Sequence, residues 1–234
     1  MTGIAILAFA CTGNEQVQDS ADSGAADCPA DTVVGDTTLA PEIEPIVVLS
    51  DGTYVPVVDG DSIALHTPLQ GGKVILAGAL VSNIKLEDCA RLRIGALLRD
   101  PSDPDERAVK NEERHVRYAP MPDRPGWAAP VAIDDERNMA PNLETCGFNA
   151  YPRDVADCDW ILDIRLEDSA TEEVLASVRR AITPVCPADD PGDPGVPAEL
   201  EQALCDCQCD ANYEAGRCDA DDLEDYVPPE PVCE

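Results

Sequence analysis

Eleven cysteines in 234 residues, five of them after residue 204, set the tightest limit on how this chain folds. An odd number cannot pair completely, so one cysteine needs another fate. The clustering of the rest points to an oxidising compartment, where disulfides persist. In the tail, Cys205, Cys207 and Cys209 alternate with single residues, and Cys218 and Cys233 follow. Read as an extended chain, side chains at i and i+2 point the same way, which makes bridging within the triplet awkward. Most of the three must find partners elsewhere.

Charge divides the chain into three parts. Residues 12–42 hold seven acids and no base, residues 43–186 hold 25 acids and 15 bases, and residues 187–234 hold 15 acids and only Arg217. The net charge of −31 opposes phosphate backbones and anionic headgroups, so nucleic acid is excluded as the expected partner. Only the middle segment has the composition of an ordinary folded surface. The flanks read as an acidic tether over 11–42 and an acidic linker with a cysteine-rich tail over 187–234.

Within 43–186 the pattern is that of strands. Asp51-Gly52 separates two runs rich in β-branched residues, a strong hairpin signal. A second such pair, Asp59-Gly60, follows. Lys73 to Ile84 is a long apolar run whose Gly78 suits a bulge or a close backbone approach. Leu92, Ile94, Ala96 and Leu98 alternate with polar positions, as do Trp160, Leu162, Ile164 and Leu166. Short strands with turn clusters between them predict an all-β, antiparallel β-sandwich of immunoglobulin-like type over 43–186. The proline-rich stretch from Pro101 to Asn142 reads as one long loop carrying Trp127, a candidate for contact with a partner. One or two helical turns are expected over Pro197 to Leu204.

At the other end, an uncharged run precedes Ala8-Phe9-Ala10-Cys11 and a polar stretch follows. This resembles the signal and modification site of bacterial lipoproteins. The resemblance implies that residues 1–10 are a signal peptide, that Cys11 carries lipid, and that the protein is held to a membrane. With Cys11 acylated, ten cysteines remain to pair. No Lys or Arg precedes the apolar run, so the expectation is also that the true start lies upstream of Met1. Thr12 after the cysteine implies the outer membrane; secretion is the alternative. Cysteine content, tether and tail together are similar to uncharacterised cysteine-rich lipoproteins of myxobacteria. Residues 207–218 resemble the last part of an epidermal-growth-factor-like module, which implies a bridge between Cys209 and Cys218.

Catalytic signals are sparse. The two histidines, His66 and His115, lie in or beside expected strands, and a hydrolase would have to use one of them. No nucleophile elbow, zinc-protease helix, phosphate loop or C-x-x-C motif is present, and neither a cofactor nor a resident metal is expected. Zinc is disfavoured in the tail by the one-residue spacing and the lack of histidine. Calcium remains an alternative through Asp219, Asp221, Asp222, Glu224 and Asp225, in an adhesion-like domain. The expected function is therefore a non-enzymatic binding or envelope-structural module. Crowded carboxylates in 43–186 predict stability that rises as pH falls from 7 toward about 5.

Overall fold

The structure, a computed structural model, describes residues 32–233 except 50–51, 68–71, 87–90, 106–107, 132–138, 147–152, 188–199, 212–217, 219–222 and 224–225. Twelve strands and one helix are described. They are β1 (Thr32–Val34), β2 (Glu42–Val48), β3 (Tyr54–Pro56), β4 (Asp61–Ala64), β5 (Lys73–Ser82) and β6 (Ile84–Leu86). Next come β7 (Arg91–Arg99), β8 (Lys110–Pro120), β9 (Trp127–Pro130), β10 (Asn142–Cys146), β11 (Trp160–Glu167) and β12 (Val174–Val185). Helix α1 spans Glu201–Cys209.

The fold is an all-β sandwich. One layer runs β3-β2-β5-β9 to the end of β8; the other runs β8-β7-β11-β12-β4. Strand β8 serves both, pairing with β7 up to Arg117 and with β9 from Tyr118. The pairing is antiparallel except for β4 on β12, a parallel contact that closes the second layer's edge. Strand β10 adds to β5 near Lys73–Leu76, off the main path.

Alternating strands fill the core as their period dictates. Leu92, Ile94, Ala96 and Leu98 of β7 and Trp160, Leu162, Ile164 and Leu166 of β11 are buried in one cluster with Ile75, Ala77, Ala79 and Val81 of β5. The apolar run of β5 does not alternate because both its faces are covered. Its outward Leu80 packs with Ile46 and Ala129, and Leu76 meets Val48, Met139 and Ala140. Gly78 is the expected close approach: a Cβ there would stand 3.3 Å from the Ala140 Cβ. The Asp51-Gly52 hairpin is formed by β2 and β3, with Val48 opposite Tyr54 and Gly52 at φ +83°.

Three expectations need correction. The ordered fold begins before residue 43: β1 pairs with β6, Val34 enters the main core, and Asn83 accepts from the Asp36 amide while donating to the Ala40 carbonyl. The long loop over 101–142 contains β8 and β9. Strand β8 was hidden because its first core-side positions are Lys110, Glu112 and Arg114, which are only half-buried and give no apolar alternation. The helix extends further than expected, through Cys209, and the tail is part of the sandwich core rather than an appendage, since Cys205 and Cys209 belong to the main cluster.

Candidate functional site

The most unusual local chemistry lies where α1 meets the sandwich. Glu, Gln, Ala and Leu favour helix at its start, and Gln202 donates to Asp206 at i+4, 2.9 Å away. A helix turns about 100° per residue, so residues two apart face nearly opposite ways and residues four apart share a face. Glu201, Cys205 and Cys209 therefore look into the sandwich. Leu204 and Cys207 look away and pack with Leu223, Cys218 and Tyr226.

The disulfides follow from that division. Cys205 bridges Cys186 just past the end of β12, and Cys209 bridges Cys146 at the end of β10, with Cα separations of 5.8 and 4.7 Å. Cys207, on the other face, bridges Cys218. The expected Cys209–Cys218 bridge is thus overturned: the helix turns Cys209 inward and presents Cys207 to Cys218 instead. Cys233 bridges Cys158, and the Val232 amide donates to Asp154 at 2.6 Å, which ties the last residues back to the sandwich. The sulfurs of Cys186, Cys205 and Cys209 all lie within 4.8 Å of one another.

A buried ion pair flanks this junction. Lys73, 1% exposed, points its ammonium to Glu201 at 3.7 Å and to the Thr67 hydroxyl at 2.5 Å. Asp206, next to the buried Cys205, has its carboxyl pushed up by burial, partly offset by the Gln202 hydrogen bond.

The outward face of the second layer carries a separate charge cluster. Asp163 on β11 is buried, and its Oδ2 accepts from Arg99 Nε at 2.9 Å, Arg165 Nη2 at 3.1 Å and Arg179 Nε at 3.4 Å. Register places them: Asp163 stands opposite Arg179 on β12 and opposite Leu97 on β7, two residues from Arg99. Beside it, Arg93 holds Glu167 at 3.0 Å and Glu172 at 2.8 Å and also pairs with Glu113. Burial and then the Glu113 charge raise the Glu167 carboxyl, whereas Arg93 holds the Glu172 carboxyl below its usual value.

Two clefts open on the surface. One of about 710 Å³ lies beside the Cys158–Cys233 bridge and is lined by Asp100, Ser102, Arg153, Asp157 and Asp159. Arg153 packs over the Trp160 ring at 5.0 Å and reaches Asp100 at 3.3 Å. Hydrogen bonds from Ser102 are the main reason the Asp100 carboxyl is lowered. The other cleft, about 420 Å³, lies between the start of β2 and β12 and touches Trp127.

Trp127 itself is half-buried, packed with Ile46, Leu80 and Ala129 under the Arg124 guanidinium, 3.9 Å from the ring centre. Glu44 holds that arginine at 2.7 Å. The two histidines are not brought into one site by any shared strand pairing. His66 bridges Val74 through its backbone, and His115 stands exposed on β8 opposite Arg93. Cys11 and the acidic residues considered for calcium lie outside the described residues.

Sequence reasoning missed the convergence at α1 because it read the triplet as extended. It noted the polar sides of β7 and β11 but not that Asp163 gathers three arginines from three strands, which only the register reveals. Comparison with protein families, curated proteins and solved structures found no match.

Proposed function

We propose that this chain is a membrane-tethered extracytoplasmic module, held by lipid on Cys11 and acting in binding or envelope structure rather than catalysis. The observation that carries the reading is the set of four described disulfides, three of which stitch the tail to the sandwich and one of which closes within the tail, with Cys146, Cys158, Cys205, Cys207 and Cys209 all buried. Bridges of this density belong to chains that live outside the reducing cytoplasm. The lipoprotein-like Ala8-Phe9-Ala10-Cys11 supplies the tether, and an even number of cysteines remains after it is modified. A single acyl chain holds a protein only marginally, so the two or more chains that such a cysteine carries are what make the anchor stable.

The test is mass spectrometry of the mature N-terminus combined with cell fractionation. The expected product begins at an acylated Cys11 and stays with membranes, and Cys11→Ser moves it to the soluble fraction. A retained Met1, or an unmodified Cys11 in membrane-purified protein, overturns the anchor. Free thiols at the eight bridged positions in protein taken from cells overturn the extracytoplasmic address.

A further inference from the structure

Two cysteines that no described bridge uses flank one end of the β1–β6 ladder. The four described bridges consume eight of the eleven cysteines, which leaves Cys11, Cys28 and Cys89. Cys28 and Cys89 lie outside the described residues, but the strands beside them do not. Cys28 stands four residues before Thr32, where β1 begins, and Cys89 three residues after Leu86, where β6 ends. The antiparallel register puts Thr32 directly opposite Leu86, so the two arms that carry these cysteines leave the ladder at the same end.

Facing residues of an antiparallel pair are about 4.5–5.5 Å apart, already inside the Cα range of about 4.4–6.8 Å that a disulfide needs. Carried on, the register would set Cys89 opposite Pro29, one residue from Cys28. Proline donates nothing to a ladder, so the pairing has no hold on that register beyond it and the one-residue offset can close. Arms of four and three residues reach about 14 and 10 Å at full stretch, enough for two sulfurs to meet and too little for either to travel far. Cys89 is pinned from its other side as well, since β7 begins two residues later at Arg91. Val34, Leu86 and Leu92 all sit in the main core, so the strands that deliver both arms are fixed.

We infer that Cys28 and Cys89 form a fifth disulfide, which fastens the acidic tether to the sandwich beside the β1–β6 ladder. Lipid on Cys11 removes the one competing thiol, and only in that respect does the bridge rest on the lipid-anchor reading. One S–S bond forms and two S–H bonds break. The two electrons and two protons pass, through a mixed disulfide, to a disulfide oxidant of the extracytoplasmic space, which is left as two thiols. The bridge sets where the anchor pulls. Only about 16 residues, 12–27, then separate Cys11 from the staple, a span of at most about 55 Å. Force from the membrane is taken by a covalent bond between β6 and β7 instead of by the three residue pairs that hold β1.

The natural full chain is alkylated in denaturant without reductant, then digested with trypsin and a glutamate-specific protease. Cleavage after Glu15 and Glu42 isolates Cys28 on one fragment, and cleavage after Glu87 and Arg91 isolates Cys89 on another. The expected product is these two fragments joined, separating on reduction in mass spectrometry. Cys89→Ser should yield one titratable thiol per chain, located at Cys28, with the four described bridges intact. Cys11→Ser should lose the membrane and keep the joined pair, which tells failure of the anchor from failure of the staple. Alkylated Cys28 or Cys89 in the natural chain, either of them joined to a different fragment, or no new thiol in Cys89→Ser overturns the proposal.

Discussion

Replacing Cys146 and Cys209 together by alanine should cost more stability than replacing Cys207 and Cys218, and the ring sizes say by how much. In the chain-entropy account a bridge stabilises by restricting the unfolded chain, increasingly so for longer rings. Cys207–Cys218 closes 11 residues, which corresponds to about 2.8 kcal/mol. Cys146–Cys209 spans 63 residues, but Cys158–Cys233 and Cys207–Cys218 remain closed in the variant and short-circuit much of that path. The effective ring runs about 12 residues from Cys146 to Cys158, about 15 from Cys233 back to Cys218 and about 2 from Cys207 to Cys209, which gives about 3.6 kcal/mol. Both lost sulfurs of that bridge are buried, whereas Cys218 is only partly so, and the small cavities left add to the same side of the comparison. Urea unfolding of the two double variants measures the difference in midpoint at constant slope. Limited proteolysis supplies an independent readout, since the first variant frees the end of α1 from β10 and the second leaves α1 docked. Equal losses, or a larger loss for the Cys207–Cys218 variant, would refute the account and place the tail's stability in side-chain packing instead.

Asp163→Asn keeps the shape of the buried side chain but removes the charge that Arg99, Arg165 and Arg179 share; a loss of about 3–5 kcal/mol is expected from urea melts, and less than 1 kcal/mol would make the cluster a surface feature. The pH dependence has two opposed parts. Glu167 and Asp206 have raised folded carboxyls, so their ionisation opposes folding at neutral pH and stability should grow as pH falls through their folded values toward the ordinary carboxyl range of about 4. Asp100, Asp105, Asp168 and Glu172 have lowered folded carboxyls, so what they contribute is present above that range and is lost as pH falls below it. Thermal melts from pH 7 to pH 3 should therefore pass through a maximum in mildly acidic solution; a monotonic fall from pH 7 would show that the two raised groups carry no weight.

How much of this was legible beforehand depends on whether a residue's period survives its chemistry. Strands β7 and β11 were visible because each buries one face against the core and leaves the other to arginine and carboxylate, so the period of two is written in hydrophobicity. Strand β8 carries the same period in charge and exposure, with Lys110, Glu112 and Arg114 on the half-buried side, and a hydrophobic pattern cannot report it. Strand β1 is only three residues long, and its place is fixed by Asn83 and β6 rather than by anything within it.

The cysteine triplet was misread for a different reason. A spacing of two has opposite meanings in the two regular structures: it puts side chains on one face of a strand and on nearly opposite faces of a helix. Nothing within C-x-C-x-C chooses between them, because cysteine has little preference for either. The choice was made by Glu201, Gln202, Ala203 and Leu204 immediately before it, which are helix formers with no β-branched residue among them, and by the matching of two inward sulfurs to partners at the ends of β10 and β12. Once α1 is helical the pairing follows without further freedom, since Cys205 and Cys209 can reach only the sandwich and Cys207 can reach only the returning tail. The acidic C-terminal region, which carries too little apolar surface to fold alone, is thereby made part of the same cooperative unit as the core: three bridges tie it to sulfurs that the sandwich holds in place, and Asp154 accepts from the amides of Ala211 and Val232 beside them.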